Sequence, residues 1–227
     1  MIPILRNALL IAGKDLRSEA KSKQVLPTML VFAGLVILIF SFAFDPTDIA
    51  VKAVIPGLVW LITLFAGILG LNRSFVSEQK NDNLYGMIVA PVDSISIYLG
   101  KFFANFVMIL IVQVFATPFL FLLFDFPFEG SIGWFIVTIL IGTFGFTSIG
   151  TFLAAIAGSS GSSEMLLPLL LFPITTPILI GVVEATKAIL VNPDQLANGL
   201  SWLQLIAGYD IIFFGLCIVL FDMVLEV

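Results

Sequence analysis

The sequence predicts an all-α integral membrane protein, with six transmembrane helices, an amphipathic helix before them and a short cytoplasmic helix between spans two and three. Three observations carry this reading. Hydrophobic residues make up 60% of the 227 and charged residues 11%, with a mean hydropathy of +1.16, where a soluble domain carries about 25% charged residues. Six apolar runs are each long enough to cross a hydrocarbon core of about 30 Å at about 1.5 Å per residue. One long polar stretch, Arg73 to Lys101 (RSFVSEQKNDNLYGMIVAPVDSISIYLGK), interrupts them. Residues 1–227 therefore read as a single transmembrane domain.

Residues 1–24 carry Arg6, Lys14, Arg17, Lys21 and Lys23, and Leu5, Leu9, Ala12, Leu16 and Ala20 recur opposite them at helical spacing. This pattern predicts an amphipathic helix in the interface plane, its basic residues turned to anionic membrane lipid. Charges interrupt the apolar core that a signal peptide needs, and no small-residue cleavage site follows.

The predicted spans are Val25–Phe44, Ile49–Leu71, Phe102–Phe124, Ile132–Ala157, Leu166–Val183 and Leu203–Leu220. Lys and Arg orient them. Eight lie in the N-terminal segment and the Arg73–Lys101 loop, and only Lys52 and Lys187 lie in the opposite loops. By the positive-inside rule both termini and the long loop face the cytoplasm.

Within that loop, Leu84, Met87 and Ile88 fall on one face of a short helix. Asp82 is placed to cap its start, and Pro91 ends it by displacing the preceding residue from the α region. Asp93 or Ser94 then offers a cap for the third span. Such a helix is either a docking surface or an element lying on the headgroups.

Three features mark the later spans. Gly150, Ala154 and Gly158 repeat every four residues, after Gly142 and Gly145. Small residues at this spacing let helices approach closely, and packing within the chain is favoured over a homodimer seam. Pro168, Pro173 and Pro177 predict a kinked or broken fifth span, a feature that often lines a pathway. Asp210 lies too few residues before Asp222 for both to sit at opposite interfaces, so Asp210 is expected to be embedded near the outer leaflet. An embedded carboxylate is a functional candidate facing a cavity or a partner.

Other chemistry is absent from the sequence. Histidine is missing, which removes the commonest general base and metal ligand. The single cysteine, Cys217, has no disulfide partner. No GxxxxGK[ST] phosphate loop or HExxH motif occurs. No basic patch is large enough for nucleic acid, and GSSGSS (158–163) offers serines without a base. Catalytic and metal residues are assigned as none, and no enzyme is expected.

The arrangement resembles a permease of the type-2 ABC exporters, whose coupling helix sits between spans two and three. Ile55 to Phe75 (IPGLVWLITLFAGILGLNRSF) resembles the start of the CcmB family, with Pro56-Gly57, Trp60 and Arg73-Ser74-Phe75 in its pattern. Leu84, Pro91 and Lys101 match the family's following motif, while Asn83 and Tyr85 replace its Gly and Glu. Leu166 to Ile180 resembles its proline-punctuated fifth helix. The similarity covers nearly the whole chain.

The resemblance implies a haem-exporter permease subunit of cytochrome c maturation in the cytoplasmic (inner) membrane. Its implied partners are a cytosolic ATPase (CcmA), a haem-handling membrane protein (CcmC) and a haem chaperone (CcmE). Haem is cargo of the complex; no cofactor is assigned to this chain. Glu78, Asp82, Leu84, Tyr85, Met87, Ile88 and Pro91 become candidates for contact with the ATPase. Asp210, Trp60 and the three prolines become candidates for a pathway or partner. The alternatives are a generic exporter permease for lipid, drug or polysaccharide, and a scaffold that only assembles a haem-ligation complex.

Overall fold

A computed structural model describes residues 2–45, 48–79, 93–128, 130–159 and 163–225. Those residues form helices only: α1 (Ile2–Ser22), α2 (Val25–Ala43), α3 (Ile49–Lys52), α4 (Ile55–Gln79), α5 (Ser94–Leu123), α6 (Ile132–Ser159), α7 (Ser163–Leu190) and α8 (Leu196–Leu225). A 3-10 turn, Pro193–Gln195, joins the last two. Six of the helices are long and apolar enough to cross a membrane.

The boundaries follow from local chemistry. Lys23 turns the chain after α1 with a φ of 51°, a left-handed conformation that a side chain adopts at some cost. The Glu19 carboxylate then accepts the backbone N–H groups of Val25 and Leu26, both at 2.8 Å, filling the open end of α2 from the previous helix. Asp48 caps the short α3 through Ala50 N–H at 2.9 Å. The second predicted span is thus divided, because Pro56 in the first turn of α4 lacks the N–H that would continue a helix from Ile49.

The long polar stretch is shorter than its composition implied. α4 runs on to Gln79 and α5 starts at Ser94, with Asp93 at its N-cap position. Lys101 is therefore no loop residue. It lies two turns into α5, 1% exposed. The fifth and sixth spans are also longer than predicted, 28 and 30 residues.

α4 is the central helix: 72% of its span is buried against 17% for α2, and it packs on α2, α5, α6 and α7. Lipid tails are as apolar as leucine, so close fit and polar contacts hold such a bundle together. Glycines provide the fit. Gly70 leaves room for the Met29 thioether, Gly67 for Phe146, Gly142 for Trp60 and Gly150 for Leu71. The small-residue face of α6 is consumed inside the chain, the packing favoured over a homodimer seam.

α1 is a helix, as its periodicity predicts, but it docks on the bundle. Ala8 and Ala12 are buried, Gly100 of α5 abuts Ile11, and Ser96 Oγ donates to the Ile4 carbonyl at 3.3 Å. Leu5, Leu9 and Leu10 remain exposed beside Arg6, Lys14 and Arg17. Small residues on both helices turn Ile4, Ala8 and Ile11 inward, rather than the Leu5–Leu9 stripe.

Candidate functional site

Asp82, Leu84, Tyr85, Met87, Ile88 and Pro91 lie outside the described residues. Glu78 falls in the last turn of α4, with only its backbone described. The site therefore begins with the helices that flank residues 80–92 and follows the polar groups inward.

At that end, Lys101 reaches across from α5 to α1. Its ammonium lies 2.9 Å from the Asp15 carboxylate and donates to the Ser74 carbonyl of α4 at 3.3 Å. One buried cation thus ties together α1, α4 and α5. Removing one partner of a buried pair leaves an uncompensated charge, at about 3–5 kcal/mol. Beside it, the Tyr98 hydroxyl meets Ser148 Oγ of α6 at 3.0 Å, with Phe221 of α8 packed on its ring at 5.2 Å.

Midway along, Gln113 of α5 is 4% exposed and joins two other helices. Its amide nitrogen donates to Thr63 Oγ1 of α4 at 2.9 Å, and its oxygen accepts from Thr143 Oγ1 of α6 at 2.8 Å. Thr63 passes its own proton to the Val59 carbonyl. Deleting the amide leaves the Thr143 hydroxyl without this acceptor, at about 1–3 kcal/mol, while Thr63 loses a donor and keeps its bond to Val59. Asn105 of α5 adds a bond to Thr151 of α6 at 3.1 Å.

Asp210 is buried, but midway along α8 rather than near the outer end where it was expected, because the helix begins at Leu196, and it does not reach the chain's surface. It is 2% exposed, pressed from α8 against Gly145 of α6, where only the missing Cβ leaves room for its oxygens. Neither oxygen has a hydrogen-bond partner among the described residues. Phe102, Phe144 and Phe214, with ring centroids 5.0–5.4 Å apart, pack one helical turn along. A carboxylate with no partner in such surroundings is costly.

Toward the opposite end, the Trp60 indole of α4 donates to Thr186 Oγ1 of α7 at 2.9 Å and packs on Gly142. The residue after Thr186 is Lys187, which lines a cavity of about 490 Å³ between α7 and the start of α8. The three prolines lie within one continuous helix. Pro173 and Pro177 face outward and Pro168 is half-buried. The Tyr209 hydroxyl of α8 donates to the Ile174 carbonyl between them, at 2.8 Å, and so couples α8 to the proline-bearing turn.

The structure thus brings Trp60, Asp210 and Gly145, the last noted in the sequence only as a small packing residue, into one bundle with residues the sequence reading did not single out: Asp15, Tyr98, Gln113 and Thr143. Polar residues within apolar runs were the available signal for Gln113 and Thr143. Nothing local pointed to the pairing of Asp15 with Lys101.

A family model described as CcmB protein matches residues 6–225. The chain belongs to the CcmB family. The match begins within α1 and ends in α8, and so covers the described bundle apart from residues 2–5. Among curated relatives, Heme exporter protein B of Rhodobacter capsulatus is 27% identical over 177 residues, 78% of this chain and 81% of the relative. Heme exporter protein B of Pseudomonas aeruginosa is 26% identical over 171 residues, 75% of this chain and 76% of the relative. The protein of the same name from Paracoccus denitrificans is 26% identical over 180 residues, 79% and 81% of the two chains.

Proposed function

We propose that this CcmB-family chain is the membrane permease subunit of a haem-exporting ABC complex in c-type cytochrome biogenesis. It transmits ATP hydrolysis by a partner ATPase across the cytoplasmic membrane, with both termini and residues 80–92 on the cytoplasmic side. The observation that carries the reading is the polar linkage between helices, in a chain whose relatives are named for haem export. The two helices that flank residues 80–92 are α4 and α5. They share the Lys101 tie at one end and the Gln113 clamp midway, and α4 alone makes the Trp60–Thr186 bond to α7 near the other end. A push on their cytoplasmic ends therefore moves α6 and α7 as well, because each clamp resists separation.

The chain's part is mechanical. Glu78 and residues 82–91 are assigned the ATPase contact. Haem is cargo of the assembled complex, with a CcmC-type membrane protein handling it and a CcmE-type chaperone receiving it. Asp210 and Trp60 belong to the moving interior between α4, α6, α7 and α8. The outward Pro173 and Pro177 present an exposed helix face suited to a membrane partner.

Loss of the protein is expected to abolish covalent haem on c-type cytochromes and leave b-type haem proteins intact, because only covalent attachment takes place on the outer face. Peroxidase staining of denatured membrane proteins from a deletion strain, beside the reduced spectrum of b-type haem, measures both. Undiminished covalent haem bands with an envelope or drug-sensitivity defect would instead establish a generic exporter.

A further inference from the structure

We propose that Asp210 is an intramembrane proton-binding site: it holds a proton while α8 lies against Gly145 of α6, and releases it when the two helices separate. The proposal rests on the packing of the bundle and holds whichever cargo the complex moves.

α8 spans Leu196–Leu225, so Asp210 lies about 21–22 Å of helix from either end, near the middle of a bilayer that the helix crosses. Both of its oxygens are buried and without a hydrogen-bond partner among the described residues. An ionised carboxylate there would be neither hydrated nor hydrogen-bonded, a costly state inside a membrane bundle.

No described counter-charge faces it. α6 carries no titratable residue at all. On α5, Lys101 is held by Asp15, and the Tyr98 hydroxyl meets Ser148. On α7, Glu164, Glu184 and Lys187 stand ten residues or more, about 15 Å, from Ile174, whose carbonyl accepts from Tyr209 beside Asp210. The Tyr209 hydroxyl is thereby occupied. Cys217 lies two turns along α8, and Asp194 and Asp222 lie near its two ends.

A proton fits this place better than a metal ion. Hard cations take about six or more oxygen ligands, whereas the Asp210 carboxylate meets Gly145, and α6 spends its carbonyls within its own helix. The described residues hold no group of three His, Cys, Asp or Glu side chains. A proton needs no such shell.

Binding and packing are linked. Water reaches the carboxyl group once α6 and α8 part. The O–H bond then breaks, its electron pair stays on the carboxylate, and the proton passes to that water. The packed state therefore binds one proton more than the separated state, so raising the pH favours separation.

Infrared spectroscopy of the purified full-length chain in an ester-free detergent tests occupancy. At neutral pH the carbonyl stretch of a protonated carboxylic acid is expected, shifted by isotope-labelled aspartate and missing from Asp210→Asn. Absence of an isotope-shifted band from the wild-type chain overturns the proposal, even if the variant fails to fold. Separation is read at Cys217, which is buried on the same side of α8, by its rate of reaction with N-ethylmaleimide. Thiolate increases with pH in any protein, so the measure is that rate relative to Asp210→Asn, whose amide cannot ionise. The ratio should rise several-fold from mildly acidic to alkaline pH. A ratio that stays constant or falls overturns the link between the proton and the packing of α8.

Discussion

Asp210 and Gly145 are a matched pair: the carboxylate occupies the volume that any other residue at 145 would fill. A buried acid without a hydrogen-bond partner lowers stability, so its removal should raise it. Asp210→Leu is expected to gain about 1–3 kcal/mol, seen as a higher melting temperature in detergent, while haem attachment falls. Gly145→Ala should reproduce the functional loss, because its methyl group displaces the same carboxylate. Full function in Asp210→Leu would reduce the residue to a tolerated charge, and a lower melting temperature would assign it a packing role. The spacing between Asp210 and Asp222 made the embedded acid legible in the sequence. Its direction was not legible, since only the packed bundle sets α8 against Gly145. Lys101 was read as a loop cation for the same reason: its partner Asp15 is remote in sequence, and burial of a lysine is invisible without that partner.

At the scale of elements, hydropathy read best where lipid decides. All six spans exist, because an apolar run of that length in lipid can satisfy its backbone only as helix. Their ends read poorly, since polar residues such as Arg73, Ser96 and Asn198 continue a helix once neighbouring helices or headgroups receive them. α4 and α5 therefore run on past the apolar runs predicted for them and flank residues 80–92. Orientation is testable on this geometry. In a Cys217→Ala background, single cysteines at Asp45 and Asp194 should react with an impermeant maleimide in intact cells, and one at Asn81 should not. Strong labelling at Asn81 would invert the topology and remove the loop from the ATPase. The amphipathic pattern of α1 was likewise legible as helix, while its docked face depended on Gly100 and Ser96 of a different element.

The whole molecule behaves as a braced bundle, its cross-helix polar contacts placed near both ends and midway. Such contacts are modest singly, about 0.6–2 kcal/mol in membranes. Together they make the flanking helices of residues 80–92 hard to move alone. Transmission from one face to the other is the central claim, and a reporter at the far end tests it most directly. A single cysteine replacing Gln195, at the rim of the cavity on the face opposite residues 80–92, can be labelled with an impermeant maleimide in the assembled complex. We predict that ATP changes its labelling rate several-fold in the otherwise unaltered complex, and that Met87→Asp abolishes the change while the bundle stays folded. A labelling rate indifferent to ATP, or an ATP response that survives Met87→Asp, would contradict transmission through this chain.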